Sequence, residues 1–257
     1  MNFSKPNLDS LTPSLVHLAE KAGTLICRIY KEEIEVFEKK DGSPVTQADQ
    51  ESHDFLQDGL KKLTPHIPLI SEEDAASWHI KNPLYWLVDP LDGTKGFIHK
   101  NGQFCINIAL MEHDRPILGL IHLPLTQETF YGYEGKAWKH VQGKSDPIHT
   151  RSTPSQGMTL LVGGYGKKFK EQEDIFLKTY PITKIERIQS AIKFCAIASG
   201  AADLYLRFEA CSEWDTAAGQ ALVEAAGGAM ANIDGTTFIY GKPGLLNKAF
   251  VVFGHKP

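Results

Sequence analysis

Apolar positions recur at helical spacing near the start of the chain. Leu15, Leu18, Ala22, Leu25, Ile26 and Ile29 predict an amphipathic helix from Pro13 to about Tyr30. Proline is favoured at a first helical position, so Thr12 is the expected cap, with Ser14 as the alternative. Val36 and Phe37 lie in a charged stretch that leads into the turn Asp41-Gly42-Ser43-Pro44. A second helix is predicted from Thr46 to Leu63, with Phe55, Leu56, Leu60 and Leu63 on one side. Thr46 and Asp49 have the spacing of a capping pair.

Short apolar runs follow. Ile67 to Ile70 and Tyr85 to Val88 read as strands. Phe104 to Met111, Ile117 to His122, Thr129 to Tyr133 and Ala137 to Val141 predict an antiparallel meander. The segment Thr150 to Gly157 is polar and rich in turn residues, and a boundary is expected there, dividing the chain into 1–150 and 151–257. Beyond it, strands near Thr159 to Val162, Ile182 to Ile188, Asp203 to Phe208, Ala231 and Phe250 to Phe253 alternate with helices. Those helices are expected at Phe169 to Thr179, Ala191 to Gly200 and Thr216 to Ala226. The alternation indicates α/β layering.

Composition narrows the function. Charged residues make up 23% and apolar residues 42%, ordinary for a globular protein. The formal charge is −4 and the pI near 6.2, which excludes a basic nucleic-acid footprint. Any phosphate site therefore needs local cations. No stretch has the length of a membrane span, and Met1 to Ser14 lacks the apolar core of a signal peptide. The four cysteines, Cys27, Cys105, Cys195 and Cys211, form no C-x-x-C pair and are expected as buried, reduced thiols.

Acids cluster where strands end. The run Leu84 to Val88 leads into Asp89-Pro90-Leu91-Asp92, and Pro90 is expected to stop the strand and force a turn. Two carboxylates in such a turn, with the Leu91 carbonyl between them, make a hard oxygen site suited to Mg²⁺. A turn with Asx capping explains the same residues equally well. Glu72-Glu73-Asp74 follows another strand end, where a solvated loop is the plainer reading. Asp215 precedes an Ala-rich helix and suits an N-cap. Asp49 falls in a first helical turn, where the helix dipole favours an acid.

Taken together, four segments resemble a family. Pro44-Val-Thr-Gln-Ala-Asp49, Ser71-Glu72-Glu73, Trp86-Leu-Val-Asp89-Pro-Leu-Asp92-Gly-Thr94 and Trp214-Asp215-Thr-Ala-Ala-Gly219 are similar to the inositol monophosphatase superfamily of lithium-sensitive, magnesium-dependent phosphatases. Asp92-Gly93-Thr94-Lys95-Gly96-Phe97, Gln189 to Cys195 and Leu204-Tyr205-Leu206-Arg207 resemble its bacterial branch of 3′(2′),5′-bisphosphate nucleotidases. Phe104 to Leu110 and Gly135 to Trp138 add to that resemblance. Two departures stand out. Gly163-Gly164-Tyr165-Gly166 replaces a Ser-His pair that the branch often carries near its adenine site, and Tyr165 could stack on the base instead. Ser190-Ala191 stands where the branch usually has two serines.

The resemblance implies an α+β/α/β fold, a layered αβαβα sandwich. It implies hydrolysis of the 3′-phosphate of adenosine 3′,5′-bisphosphate, a by-product of sulfate activation, to AMP and phosphate. Glu72, Asp89, the Leu91 carbonyl, Asp92 and Asp215 would hold two to three Mg²⁺ ions. Thr94 and Asp49 would orient and deprotonate a water, with Glu73 as a further contact. Glu72, Leu91, Asp92, Gly93, Thr94, Ser190 and Asp215 would also meet the substrate. Lys193 and Arg207 would grip the phosphate that is not cleaved. The expected partner is a small nucleotide and not a nucleic acid. The expected form is a cytoplasmic monomer or homodimer, with peripheral association at the inner membrane left open. Two other readings remain: an inositol or small-sugar phosphatase, and a non-catalytic Mg²⁺-dependent nucleotide-binding protein.

Overall fold

A computed structural model describes residues 5–39, 42–163 and 170–255. Asp41 of the expected turn and Tyr165 of the glycine-rich segment lie outside them. Helix α1 (Leu8–Tyr30) begins earlier than the sequence pattern suggests. Asn7 caps it by accepting from the Ser10 N–H at 3.0 Å, and Pro13 lies inside the helix. Thr12 and Ser14 are therefore not its cap. The reason is burial: Leu8 and Leu11 extend the same apolar stripe as Leu15 and Leu18, which offsets the one helix bond that proline cannot donate.

Strands β1 (Val36–Glu38) and β2 (Pro44–Thr46) pair as a small hairpin that the charged sequence did not announce. Helix α2 (Gln47–Leu63) starts at Thr46, which forms the expected capping box with Asp49. Its buried face is Ala48, Asp49, Ser52, His53, Leu56 and Leu60. Phe55 and Leu63 fall beside that face and remain 37% and 36% exposed, so they do not join the core.

The first sheet has seven strands: β3 (Leu69–Ser71), β4 (Leu84–Asp92), β5 (Cys105–Glu112), β6 (Arg115–Leu123), β7 (Glu128–Tyr133), β8 (Lys136–Val141) and β9 (Lys144–Ile148), in that spatial order. The β3–β4 pair is parallel, and the rest form an antiparallel meander. Short helix α3 (Thr94–Ile98) follows β4.

The second sheet draws on β10 (Met158–Val162), β11 (Ile182–Arg187), β12 (Leu204–Arg207), β14 (Ala229–Asn232) and β16 (Phe250–Phe253), ordered β11-β10-β12-β16-β14. Strands β13 (Cys211–Ser212) and β15 (Leu246–Asn247) make a separate two-stranded ribbon. Helices α4 (Lys170–Thr179), α5 (Ile192–Ala198) and α6 (Ala217–Ala225) complete the chain.

Alternating side chains sort these elements into layers. In β4, Leu84, Trp86 and Val88 face α1 and α2, while Tyr85 and Leu87 face the opposite core. In β12, Leu204 and Leu206 meet Phe176 and Leu177 of α4, while Tyr205 faces inward. Helices α5 and α6 lie between the two sheets. The order is α1/α2, first sheet, α5/α6, second sheet, α4: the αβαβα sandwich expected. Strands buried on both faces explain the long apolar runs in the sequence. All four cysteines are free thiols, three buried and Cys27 half-buried.

The central layer depends on small residues. A Cβ on Gly119 of β6 would come within 2.1 Å of the Ala218 carbonyl oxygen of α6. Backbone on both sides of that contact leaves nothing to yield. Gly119→Ala is expected to cost about 1–3 kcal/mol and roughly 2–12 °C in Tm. An unchanged thermal melt would show that α6 does not press on β6 this closely.

Candidate active site

The site forms where β4 meets the ends of its neighbours. Strand β4 does not stop at Pro90, as the sequence suggested; it runs to Asp92. Its register against β5 slips between Asp89, opposite Asn107, and Asp92, opposite Cys105. Three steps along β4 match two along β5, so one residue bulges. Proline, having no N–H for the ladder, sits in the bulge without loss. The bulge lets Asp89 and Asp92 both line one cleft.

That cleft has a volume of about 420 Å³ and is lined by Glu72, Asp89, Leu91, Asp92, Gly93, Thr94 and Asp215, with Lys39, Trp78 and Trp214 among the others. Oxygen atoms of Glu72, Asp89 and Asp215 all lie within 4.8 Å of one another. The structure thus brings Asp215 to Glu72 and Asp89, which lie more than a hundred residues earlier in the chain. Asp89 Oδ1 accepts from the Leu91 N–H at 3.0 Å. Asp92 Oδ2 accepts from the Ala191 N–H and, at 3.4 Å, from the Asn107 amide.

Asp215 caps a backbone, though not the one expected. It ends a short 3-10 turn, Glu213–Asp215, and accepts from the Ser212 N–H at 3.2 Å. Thr216 holds the N-cap position of α6. The turn points the Asp215 carboxylate back toward β4 rather than along α6.

Asp49 is buried behind Thr94. Its Oδ2 accepts from the Thr46 N–H and hydroxyl at 2.8 and 2.6 Å, and its Oδ1 accepts from the Thr94 hydroxyl at 3.1 Å. The Thr94 oxygen also lies 3.3 Å from the Leu91 carbonyl. Gly93 takes φ +96, a conformation costly for other residues, and so starts α3 with Thr94 facing the cleft.

Burial and mutual repulsion dominate the electrostatics. Burial, with Glu72, Asp92 and Asp215 nearby, pushes Asp89 well above the carboxylate range. Burial and Asp92 push Asp215 up to about 8, although Arg207 opposes them. Burial raises Asp49 despite its hydrogen bonds, and raises Glu73 to about 7. Lys39 at the end of β1 is the local answer: its ammonium lies 2.7 Å from Glu72 and 2.6 Å from Glu73. One lysine cannot balance the acids of this cleft. The donors are all oxygens, so a hard divalent cation suits them by both charge and type.

Some expected residues lie elsewhere. Lys193 does not reach the cleft. It is buried, and its ammonium donates to the Ile188 and Ser190 carbonyls at 2.9 and 2.6 Å, over the Tyr205 ring. Burial lowers its pKa to about 8. Its place is under the turn that carries Ser190, which holds a left-handed φ of +56. Arg207 is half-buried, and its Nε donates to the Glu209 carbonyl at 3.3 Å. Ser190 and Arg207 stand near Asp92 and Asp215 without lining the cleft. Sequence reasoning missed Lys39, Trp78 and the α2 residues Ser52 and His53. Alternation across the Asp41-Gly42 turn was the one available signal for the hairpin that carries Lys39.

A sequence profile described as the inositol monophosphatase family matches residues 7–253. The chain belongs to the inositol monophosphatase family. It is 40% identical over 240 residues to the 3′(2′),5′-bisphosphate nucleotidase CysQ of Salmonella typhimurium, covering 91% of this chain and 96% of that protein. The CysQ protein of Escherichia coli K12 is 41% identical over 214 residues, covering 82% and 85%. The crystal structure of CysQ from Bacteroides thetaiotaomicron, a bacterial family member, superposes with a TM-score of 0.83 at 30% identity. It covers 98% of this chain and 100% of that one. Enzymes of this family are metal-dependent, and the acidic cluster of this chain can hold a metal ion. Among the described residues, no helix is long and apolar enough to cross a membrane.

The raised carboxyls fix a pH dependence of the metal-free protein. A carboxyl held at about 8 when folded, against an ordinary 3.8, binds its proton more tightly in the folded chain. Its contribution is fully present below 3.8 and is lost as pH rises through about 8. Chelated protein should therefore melt lower at pH 8 than at pH 5.5, and added divalent cation should raise Tm more at pH 8. Equal gains at both pH values would contradict the charge balance described here.

Proposed function

We propose that this chain is a Mg²⁺-dependent 3′(2′),5′-bisphosphate nucleotidase. It hydrolyses the 3′-phosphate of adenosine 3′,5′-bisphosphate to AMP and phosphate, and in doing so recycles a by-product of sulfate activation. The observation that carries this reading is the convergence of Glu72, Asp89 and Asp215 beside the Thr94–Asp49 hydrogen bond. The names and coverage of the CysQ relatives support the choice of substrate.

Glu72, Asp89, the Leu91 carbonyl, Asp92 and Asp215 would hold two or three Mg²⁺ ions, whose positive charge stabilises the attacking and leaving oxygens of the displacement. The chain's own residues handle the water. Thr94 accepts and orients it, and passes a proton toward Asp49 Oδ1, 3.1 Å away. Burial raises the proton affinity of Asp49, as a general base requires. A bond forms from the water oxygen to phosphorus as the bond from phosphorus to O3′ breaks; O3′ leaves with that electron pair and takes a proton from solvent to become the hydroxyl of AMP, and Asp49 returns its proton to solvent. Glu73, held by Lys39 at 2.6 Å, stands one residue behind Glu72 as a further polar contact. In this reading residues 1–150 supply most of the acids, and residues 151–257 supply Asp215 and the nucleotide contacts.

Arg207 is the cation assigned to the 5′-phosphate, and Ser190 and Gly93 flank the path to it. Lys193 serves that subsite from beneath, by fixing the backbone of the Ser190 turn. A charge-assisted phosphate contact is worth about 1.5–3 kcal/mol, so Arg207→Ala should lower kcat/KM about ten- to a hundredfold. The loss should fall on adenosine 3′,5′-bisphosphate and be small on adenosine 3′-monophosphate. An equal loss on both would place Arg207 in the service of Asp215 instead.

Phosphate release from adenosine 3′,5′-bisphosphate and from inositol 1-phosphate, each with and without Mg²⁺, tests the reading directly. The bisphosphate should be the better substrate by at least about tenfold in kcat/KM, and chelation should abolish activity. Li⁺ should inhibit. A preference for inositol 1-phosphate would make the protein a sugar phosphatase, and full activity in excess chelator would remove the metal site.

A further inference from the structure

One face of α2 carries three polar side chains at i, i+3 and i+4: Asp49, Ser52 and His53, all buried. Each reaches a different segment of the site. Asp49 bonds Thr94. The Ser52 hydroxyl donates to the Pro90 carbonyl in the β4 bulge at 2.8 Å. His53 Nδ1 lies 2.8 Å from the Ser71 hydroxyl oxygen. The mechanism above uses Asp49 but gives no work to His53, a 5%-exposed imidazole inside a polar network.

Ser71 is the last residue of β3, and Glu72 and Glu73 follow it. Every polar group of Ser71 is engaged. Its N–H donates to the Ser77 hydroxyl at 3.1 Å, and its carbonyl accepts from the Trp78 indole at 2.8 Å. Its hydroxyl oxygen lies 3.4 Å from the Glu73 N–H and accepts from it. The hydroxyl has one proton and a second lone pair left for His53 Nδ1, and either sense of that bond ties the imidazole to the Ser71 turn. The Glu72 N–H in turn bonds the Val88 carbonyl at 3.2 Å. The direction in which the Glu72–Glu73 pair leaves the sheet is thus set from two sides: by β4, and by His53 through Ser71.

We propose that His53 is a positioning residue for the metal site, acting through the Ser71 hydroxyl to aim Glu72 into the cleft. The inference rests on the reading above in which Glu72 is a metal ligand. Helix α2 packs on β4 and β3, so the imidazole is a post against which the Ser71 turn is registered. Partners one bond removed from a ligand tune metal affinity by orienting it.

The test is Mg²⁺ binding to the full chain without substrate, by titration calorimetry, together with kcat at saturating Mg²⁺. The variants are His53→Ala, Ser71→Ala, the double variant and His53→Asn. Each alanine variant should bind Mg²⁺ roughly tenfold more weakly, with a smaller change in kcat. The double variant should fall within about threefold of Ser71→Ala, because that substitution already breaks the His53 contact as well as the long bond from the Glu73 N–H. His53→Asn should recover most of the affinity, since its amide can meet the Ser71 hydroxyl as donor or acceptor. Unchanged affinity in both single variants, or losses that multiply in the double, would overturn the proposal. If His53→Ala fails to fold, Ser71→Ala, which deletes a single oxygen, decides alone. A wild-type chain that binds no Mg²⁺ would instead overturn the metal-site reading.

Discussion

The constraint on which this structure turns is the repulsion among carboxylates brought to the end of β4. Asp89 is almost fully out of water, and Glu72 and Asp215 offer oxygens within 4.8 Å of it and of each other. Such an arrangement is unfavourable by itself, because like charges at this spacing raise one another's proton affinity. The surrounding structure works to hold it. Backbone N–H groups of Leu91, Ala191 and Ser212 point at Asp89, Asp92 and Asp215. Lys39 bridges Glu72 and Glu73 from the hairpin. A divalent cation would complete the same task from inside the cleft.

The local patterns of the sequence carried much of the fold. Strands buried on both faces produced apolar runs, and the capping pair Thr46 and Asp49 marked the start of α2 correctly. Glu72, Asp89 and Asp92 were visible because they follow apolar runs, Asp49 and Asp215 because they suit helix starts, and a family resemblance tied these segments together. What the sequence did not carry depends on contacts between distant segments. Pro90 looks like a strand breaker until β5 is present to accommodate a bulge. Pro13 looks like a helix start until the sheet is present to bury Leu8 and Leu11.

Lys193 illustrates the same limit at the site. A lysine in a segment that resembles a nucleotide-binding element reads as a phosphate ligand, since its charge is its most obvious property. The fold spends that charge on two carbonyls instead, Ile188 and Ser190, and on the ring of Tyr205. The turn it stabilises presents the Ala191 N–H to Asp92. A cation can thus serve an anion site at one remove, by ordering the backbone dipoles that meet the acids. No spacing rule in the sequence separates that role from direct contact.

Segments from early and late in the chain meet at the site. Asp92, on β4, bonds the backbone that precedes α5, and the Ser212–Asp215 turn delivers its carboxylate to Glu72 and Asp89. Glu213, two residues before Asp215, is fully buried and accepts from the Gly241 and Lys242 N–H groups, so it ties the same turn to the segment that leads to Gly244 and Leu246 of the cleft wall. The first sheet and the turn that follows β13 of the two-stranded ribbon therefore converge on one cluster of negative charge. Whatever neutralises that cluster stabilises the junction as well as the chemistry. The apolar core around α5 and α6 joins the two sheets, and a cation held in the cleft would add to that contact.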